Sequence, residues 1–530
     1  MSFNLADLFE GVTDAVPDRE AVVCRTADGA TTRLTYADLE ARANRLADHL
    51  TRCGIARGDH VGLHLYNGSE YLEGMLAAFK IGAVSVNVNY RYVVDELAYL
   101  LDNADLRYVI TEEDLADRVR EAADRLPTAP DVLTRGAAYE EALAAASAER
   151  PVGVERGSDD LYLLYTGGTT GMPKGVMWRH EDLFFGSLGG TGGRRVPRLE
   201  DPDRIGEWAT EGTSLPRRLP LCPLMHGGAQ WVALQAIYSG GTVLLSTDRR
   251  FDAAAALALV AEERASLIMV IGDAIARPLA DELASAGGAY DLSALRVLRS
   301  SGAVFSAAVK AQLGELLPSV RIQDMFGASE TGGQGQLTSA GDRSVGFVPD
   351  DHTTVLDADL RPVEPGSGVV GRLARTGNIP YGYYKDPDKT AATFPVVDGV
   401  RWSVPGDMAT VAEDGTVSVL GRGSGSINTG GEKVYPEEVE SALKSHPAVY
   451  DALVVGVPDE RFGERVTAVV RWRDGITEEP TIDDLAEHCA GHISRFKVPR
   501  AVVSVDRIQR LPTGKPDYRW ARREAEAAAV

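Results

Sequence analysis

Short apolar segments alternate with amphipathic segments along most of this chain, and this alternation constrains the fold more than any other feature. Val61–Leu65 and Ala83–Val88 have the composition of buried strands, whereas Tyr71–Phe79 and Asp95–Leu101 have helical character. Strand–helix–strand units of this kind build a parallel sheet with helices packed on it. The alternation continues to about residue 420. We therefore predict an α/β fold.

One helix start is explicit in the sequence. Thr35 and Asp38 have the spacing of a capping box, in which two side chains satisfy backbone N–H groups at the first turn. Leu39, Ala43 and Leu46 then recur at helical spacing. We predict a helix that begins here and buries one face.

The length of the chain requires more than one folding unit. It has 530 residues, and a typical domain has roughly 150. The most flexible short segment is Gly421–Ser426, which is rich in glycine and serine. We predict a large amino-terminal domain of several subdomains over residues 1–421, a hinge at 422–425 and a small mobile α+β domain over 426–530. Gly189–Arg218, rich in Gly, Arg and Pro, is expected to be a long surface excursion.

The charge balance excludes some partners. The chain carries 77 acidic and 55 basic side chains, a formal net charge of −22, so it lacks the Lys and Arg surplus that nucleic acids and broad anionic membrane surfaces require. Its four cysteines have no paired spacing, and no apolar run of membrane-spanning length or basic leader is present. We expect a cytoplasmic protein whose anionic ligands bind at a local, amide-rich site.

The strongest local signal is Tyr165–Gly175, which follows the apolar segment Leu161–Leu164. Its glycines let backbone N–H groups approach an anion, its threonines add hydroxyl donors, and Lys174 adds a charge, an inventory that suits polyphosphate. The spacing does not match the Walker pattern. Taken alone, the segment is also compatible with a glycine-rich hairpin turn.

Six segments in order resemble the adenylate-forming superfamily, which includes acyl-CoA synthetases, carrier-protein adenylation domains and firefly luciferase. The resemblance covers roughly residues 30–523. The segments are Thr166–Gly175, Ser300–Ala303, Met325–Glu330, Trp402–Asp407, Gly421-Arg422 with Gly430–Glu440, and Pro512–Lys515. In that family the first four segments bind, in this order, the phosphates, the adenine edge, Mg²⁺ with the nucleotide, and the ribose. The fifth forms the hinge and the start of the small domain, and the sixth carries the catalytic lysine.

The resemblance implies a set of site residues. Catalytic roles are implied for Lys515, Glu330, Thr170 and His226. Contacts to nucleotide or CoA are implied for Thr166, Gly167, Gly168, Thr169, Gly171, Lys174, Ser301, Gly302, Ala303, Asp324, Met325, Phe326, Gly327, Ser329, Asp407, Arg422, Gly430, Gly431 and Lys433. Mg²⁺ ligation is implied for Glu330 and Thr170.

The implied reaction activates a carboxylic acid with ATP and passes the acyl group to CoA. A carboxylate must attack the α-phosphate, so cations have to bring two anions together, and Mg²⁺ accompanies the leaving pyrophosphate. Lys515 is expected to bridge the carboxylate and the α-phosphate, while Asp407 and Arg422 are expected to hold the ribose. Rotation of the small domain would then exchange Lys515 for the 430–433 segment. His226 is expected at the junction of the acid pocket and the CoA tunnel, although a purely structural histidine also fits.

Some positions depart from the family pattern. Gly167 replaces a common serine, and Ser424-Gly425 replaces an Asp or Lys followed by an acidic residue at the hinge. Gly425 is expected to lower the conformational cost of domain rotation. The variants resemble actinobacterial synthetases that activate steroid or terpenoid acids. They leave open an enzyme that performs chiefly the CoA half-reaction on an adenylate from a partner ligase. Two further alternatives do not depend on these variants: an enzyme that loads a carrier-protein thiol, and a non-catalytic nucleotide-binding protein. A homodimer is also possible.

The acid pocket is the least defined part of the prediction. The resemblance implies a wall containing Trp231, Val232 and Gln235, with small residues elsewhere. We expect Gly272 and Ala276, as well as the glycines of the nucleotide loops, to leave space for the acid. The sequence therefore favours a bulky, hydrophobic acid, such as a steroid side-chain, terpenoid or long branched acid.

Overall fold

The structure is a computed structural model, and it describes residues 1–26, 28–167, 172–192, 197–211, 215–340, 344–429, 432–459, 463–476, 478–511 and 515–528. The helices are α1 Leu5–Ala15, α2 Tyr36–Arg52, α3 Ser69–Lys80, α4 Val94–Asn103, α5 Ala116–Ala123, α6 Ala137–Ala144, α7 His180–Ser187, α8 Ile205–Thr210, α9 Gly227–Tyr238, α10 Ala253–Glu262, α11 Gly272–Ala286, α12 Ala307–Leu316, α13 Pro387–Thr393, α14 Pro436–Lys444, α15 Ile482–Ala490 and α16 Tyr518–Ala527.

Among the described residues the strands outnumber the helices. They are β1 Glu20–Arg25, β2 Thr31–Thr35, β3 His60–His64, β4 Val84–Asn87, β5 Leu106–Thr111, β6 Asp131–Thr134, β7 Leu161–Thr166, β8 Lys174–Arg179, β9 Arg217–Pro220, β10 Thr242–Ser246, β11 Leu267–Val270, β12 Val297–Ser301, β13 Arg321–Ala328, β14 Gly332–Ala340, β15 Ser344–Phe347, β16 Thr353–Leu356, β17 Gly371–Arg375, β18 Gly382–Tyr383, β19 Val396–Val397, β20 Val400–Arg401, β21 Asp407–Val411, β22 Val417–Arg422, β23 Ile427–Thr429, β24 Glu432–Val434, β25 Val449–Asp459, β26 Gly463–Trp472 and β27 Ala501–Ser504.

Two large sheets organise the amino-terminal part. Within the described residues, the first has 13 strands in the order β16-β17-β21-β22-β15-β14-β13-β12-β11-β9-β10-β1-β2, and the second has seven in the order β18-β8-β7-β4-β3-β5-β6. In the first sheet the six adjacent strands β13-β12-β11-β9-β10-β1 are parallel to one another. The main core contains residues of both sheets and of α1, α2, α3 and α9. The predicted α/β architecture is therefore observed.

The predicted helix start is confirmed. Thr35 is the N-cap of α2, and it forms a capping box with Asp38. Leu39, Ala43 and Leu46 are buried on the inner face of this helix.

The carboxyl-terminal part has its own sheet. β24, β23, β26 and β25 pair in this order, and β27 pairs with β26. α14 and α15 cover one face of the sheet and α16 the other. The proposed hinge at 422–425 begins at the last residue of β22, which belongs to the 13-stranded sheet, and ends before β23, which belongs to the small one. The exact domain boundaries stay a prediction.

The expectation for Gly189–Arg218 is wrong at its carboxyl end. Ile205 of α8 is fully buried in the main core. Arg217 and Arg218 begin β9, which pairs between β10 and β11 inside the 13-stranded sheet. The sequence pattern did not predict β9 because the strand has only four residues, follows a segment rich in glycine, proline and charged residues, and is buried by the strands beside it.

In the part of the chain that the structure describes, no helix combines the length and apolarity needed to cross a membrane.

Candidate active site

A large cavity lies where parallel strands of the two sheets end. It has a volume of about 2260 Å³, whereas the pocket for one small ligand typically has about 300–1,000 Å³. Thr166 at the end of β7, Ser301 at the end of β12 and residues 325–329 of β13 and the turn after it line it. Ligands of α/β proteins bind at the carboxyl ends of parallel strands. The cavity has room for more than one substrate at this position.

Many of the residues implied by the sequence meet in this cavity. Those that line it are Thr166, Gly167, His226, Ser301, Gly302, Met325, Phe326, Gly327, Ser329 and Lys515. Gly168, Thr169, Thr170, Gly171, Gly430 and Gly431 lie outside the described residues.

Seven of the implied residues that the structure describes do not line the cavity: Lys174, Ala303, Asp324, Glu330, Asp407, Arg422 and Lys433. Asp324 is buried and forms an ion pair of 3.0 Å with Lys310 of α12. Lys433 is exposed on β24. Neither these two nor Ala303 is among the residues that line the cavity. The position of Lys433 is consistent with a segment that would act only after domain rotation.

An ionic cluster surrounds the lysine contributed by the carboxyl-terminal domain. Asp407 and Arg422 face each other across the β21–β22 pair, and their side chains form an ion pair of 3.1 Å. Burial and the Glu330 charge raise the pKa of Asp407, although Arg422 acts against this shift. Burial and the Arg422 charge lower the pKa of Lys515, while Glu330 and Asp407 oppose that shift. Although Lys515 is exposed as a residue, its ammonium group thus lies close to a cation and two carboxylates.

Glu330 is held from two directions. The Tyr383 hydroxyl donates a hydrogen bond of 2.9 Å to Glu330 Oε1, and the Ser403 hydroxyl donates one of 2.6 Å to the Glu330 carbonyl. Lys174 lies over the same Tyr383 ring and pairs with Asp386 at 3.2 Å. Tyr383 therefore connects the predicted metal ligand with the lysine of the phosphate segment.

His226 lines two cavities. The second has about 300 Å³, and it shares His226, Cys222 and Ile271 with the large one. His226 Nε2 is buried and has no hydrogen-bond partner among the described residues. Burial lowers the pKa of His226 to about 3, and the charges of Lys515 and Arg91 add to the shift. The lowered pKa keeps the imidazole neutral where it lines both cavities. Its place between an acid pocket and a CoA tunnel stays a prediction.

Two residues that the sequence did not single out hold the site together. Asn87, at the end of β4, donates hydrogen bonds to the Tyr165 carbonyl at 2.8 Å and the Met225 carbonyl at 2.7 Å, and it accepts one from the Tyr165 N–H at 2.6 Å. Trp178 Nε1 of β8 donates to the Ser329 carbonyl at 3.0 Å. The one available signal was Asn87 itself, a polar residue within an apolar strand.

The expectations for the acid wall are met only in part. Trp231, Val232 and Gln235 line the large cavity. Gly272 and Ala276 do not. A Cβ on Gly272, which has a φ of +47°, would meet the Val304 carbonyl, so this glycine permits close packing of two backbones instead of making room for an acid.

Comparisons with known proteins agree with this architecture. The family model described as AMP-binding enzyme matches residues 9–384, and the model for the carboxyl-terminal domain of AMP-binding enzymes matches residues 438–515. A 3-oxocholest-4-en-26-oate–CoA ligase of Rhodococcus rhodochrous is 48% identical over 98% of this chain and 96% of its own length. A medium/long-chain-fatty-acid–CoA/3-oxocholest-4-en-26-oate–CoA ligase of Mycobacterium tuberculosis is 46% identical over 99% of this chain and 97% of its own length.

A solved structure gives the same fold over the whole chain. ATP-bound MatB from Rhodopseudomonas palustris has a TM-score of 0.82 and 26% identity, and the match covers 100% of both chains. The resemblance, the fold class and the enzyme class predicted from the motifs are thus confirmed. The chain belongs to the AMP-binding enzymes, the adenylate-forming family whose ordered motifs it carries.

Proposed function

We propose that this protein is an AMP-forming acyl-CoA ligase that joins a bulky hydrophobic acid to CoA through an acyl adenylate. The observation that carries the proposal is that Lys515 lines the same cavity as Thr166, Ser301 and the acid wall around Trp231. Two relatives of nearly full-length coverage are named as ligases of a steroid acid. ATP and CoA are the cosubstrates of CoA ligases of this family. The preserved lysine favours the complete reaction over the half-reaction and non-catalytic alternatives.

The charges of the site suit the first step. A carboxylate and the α-phosphate repel each other, and the Lys515 ammonium is the cation that can contact both, because its flexible stem reaches the cavity from a separate domain. Asp407 and Arg422 would hold the ribose, the carboxylate as acceptor from its hydroxyls and the guanidinium as donor. Lys174 would contact the leaving phosphates. Since a bridging cation must be protonated, this role makes adenylation depend on the charge of Lys515.

The residues present also suit Mg²⁺. This ion is usually held by one or two carboxylates together with phosphate oxygens and water. The Glu330 carboxylate, fixed by Tyr383, is such a hard oxygen donor, and Thr170 is the second predicted ligand. When bound, Mg²⁺ would neutralise charge on the leaving pyrophosphate.

For the second step we propose that the CoA thiol reaches the adenylate past His226. The imidazole lines both cavities, and its lowered pKa keeps it neutral at physiological pH. A neutral ring does not hold the thiol back as a thiolate–imidazolium ion pair.

The homodimer, a partner ligase and the cytoplasmic location stay predictions.

Adenylation should fall as the pH rises through the lowered pKa of Lys515. Burial and Arg422 lower this pKa below that of an ordinary lysine, so the neutral amine appears at less alkaline pH and the bridge loses its charge. The measurement is kcat/KM for adenylation from neutral to alkaline pH. A Lys515→Arg variant that retains measurable adenylation should lack this alkaline limb, because arginine stays protonated. An identical limb in that variant would assign the titration to another group.

The function is tested by ATP–pyrophosphate exchange with a panel of acids, followed by trapping with CoA. We expect exchange with steroid, terpenoid or long branched acids and conversion to their CoA thioesters, with acetate a poor substrate. Exchange without a thioester would support the carrier-protein alternative, and a thioester formed only from supplied acyl adenylate would support the half-reaction alternative. A better rate with acetate would contradict the proposed acid class.

A further inference from the structure

One face of the parallel sheet forms a floor of the large cavity, and this floor is not apolar throughout. Arg218 of β9 pairs with Leu267 of β11, and Met269, two residues further on the same face, pairs with Arg299 of β12. Side chains of paired residues, and of residues two apart, lie on the same face of a sheet. Arg218, Met269 and Arg299 all line the cavity. Two arginines therefore share the floor with a methionine.

The Arg218 end of this floor is far from Ser301, which the resemblance assigns to the adenine-edge loop. Arg218 is level with Leu267 and hence with Val297, four residues before Ser301 on β12. At 3.3 Å per residue and about 4.8 Å between strands, the Arg218 backbone lies about 13 Å along the strands and about 10 Å across them from Ser301. Arg299 lies between these two positions. A group that contacts both ends of this floor must be long.

Both guanidinium groups have only amide partners in the described part of the chain. Arg218 Nη1 donates to Gln235 Oε1 at 2.5 Å, and Arg218 Nε is buried without a hydrogen-bond partner. Arg299 Nε and Nη2 both donate to Gln323 Oε1 at 3.2 Å. Among the described residues, neither arginine has a carboxylate within 4.0 Å.

The adjacent residue shows the usual arrangement. Arg217 forms ion pairs with Glu20 at 2.7 Å and with Glu263 at 2.8 Å.

The pKa values of the two floor arginines reflect the partner that is missing among the described residues. Burial and the neighbouring Arg299 charge lower the pKa of Arg218 to about 9, and burial also lowers the pKa of Arg299. Buried charges in proteins are normally paired, because desolvation without a partner is unfavourable. Two cations without an anion at a cavity wall therefore indicate that the partner arrives with the ligand.

We propose that Arg218 and Arg299 bind an oxygen acceptor at the end of the acyl group opposite the carboxylate that is activated. This inference rests on the proposed acyl-CoA ligase function and narrows its substrate class to long acids with a terminal carbonyl or carboxylate oxygen. Gln235 and Gln323 would hold the two guanidinium groups in position. Apolar side chains of the wall, such as Val232, would contact the middle of the acyl group.

The test compares acids that are matched in length and differ only at the far end. One pair is a 3-oxo steroid acid and its 3-deoxy analogue, and the other is a long α,ω-dicarboxylic acid and the monocarboxylic acid of the same length. The measured quantity is the ratio of kcat/KM in ATP–pyrophosphate exchange. Because a hydrogen bond to a charged group is worth more than a neutral one, we expect the wild-type protein to prefer the oxygen-bearing acid of at least one pair roughly 10–100-fold. The pair that shows the preference distinguishes a carbonyl from a carboxylate.

Variants assign the preference to the floor. Arg218→Met and Arg299→Met should each lower the ratio toward one by reducing the rate for the oxygen-bearing acid, with little change for its partner. Arg299→Lys, which keeps a charge, should retain part of the preference. Arg107→Met, at an exposed ion pair with Asp59, is the matched control and should leave the ratio unchanged.

The outcomes separate this inference from the proposed function. No exchange with any acid in the wild-type protein would contradict the function itself. Exchange with equal rates for both members of both pairs, or an unchanged preference in the folded Met variants, would overturn the inference alone. If the Met variants do not fold, calorimetric titration of the wild-type protein with each pair decides, since equal affinities overturn the inference and tighter binding of the oxygen-bearing acid supports it.

Discussion

Replacing Lys515 by alanine is expected to lower the rate of acyl-adenylate formation by roughly 10²–10³-fold, the usual effect of removing one preorganised charge-stabilising donor. The residue lines the cavity, and its charge interacts with those of Arg422, Glu330 and Asp407. Without the ammonium, the acid and the α-phosphate would face each other without a bridging cation. The measurement is single-turnover adenylation with ATP and a steroid acid.

The same variant should retain the second half-reaction. When purified acyl adenylate is supplied with CoA, Lys515→Ala should form the thioester at nearly the wild-type rate, because the proposed rotation of the small domain would move this residue away before the thiol attacks. Lys433→Ala is the complementary variant, because Lys433 is exposed and does not line the cavity in this domain orientation. It should spare adenylation and slow thioester formation. Equal losses of both half-reactions in Lys515→Ala would refute the proposed division of roles.

The second large effect is on stability. Lys80 of α3 is fully buried and pairs with Glu10 of α1 at 2.6 Å and with Glu40 of α2 at 3.1 Å. Removing one partner of a buried ion pair typically costs 3–5 kcal/mol, because the other charge stays buried. Each glutamate keeps an arginine here, Arg156 and Arg150 respectively. We expect Lys80→Met to lower the free energy of unfolding by about 3 kcal/mol, measured by urea denaturation.

An exposed pair provides the control. Arg120 and Asp117, three residues apart on α5, form an ion pair at 2.8 Å with both side chains largely exposed. Such pairs contribute about 0–1 kcal/mol, so Arg120→Met should change the unfolding free energy little. A similar loss in both variants would show that the buried network has no special role.

The same network gives the stability a definite pH dependence. Burial alone would raise the pKa of Glu10, but hydrogen bonds from Arg156 and Lys80 and their charges hold it below its ordinary value. A carboxyl group with a lowered folded-state pKa stabilises the fold above its unfolded-state pKa, and this contribution is lost as the pH falls through the folded-state value. The acid-induced loss of stability should therefore be smaller in Glu10→Gln than in the wild-type protein.

Local sequence signals predicted local structure well. The Thr35–Asp38 capping box begins α2, and the apolar segment before the phosphate motif forms β7. These predictions succeed because capping and strand burial depend on residues close together in the chain. The prediction for Gly189–Arg218 failed for the opposite reason. Arg217 and Arg218 are polar, and they belong to β9 because β10 and β11, which lie far from them in the sequence, pair with this strand.

The sequence by itself determined the family and the order of the motifs, and it predicted the principal site residues, because each motif combines residues whose chemistry needs no knowledge of distant partners. Only the tertiary structure decided which residues meet. It paired Asp407 with Arg422 across β21 and β22, placed His226 in the lining of both cavities, and brought Arg218 and Arg299 to one face of the sheet on either side of β11. Such contacts depend on the register in which strands pair. No local sequence pattern specifies this register, so only the tertiary structure shows which side chains share a face.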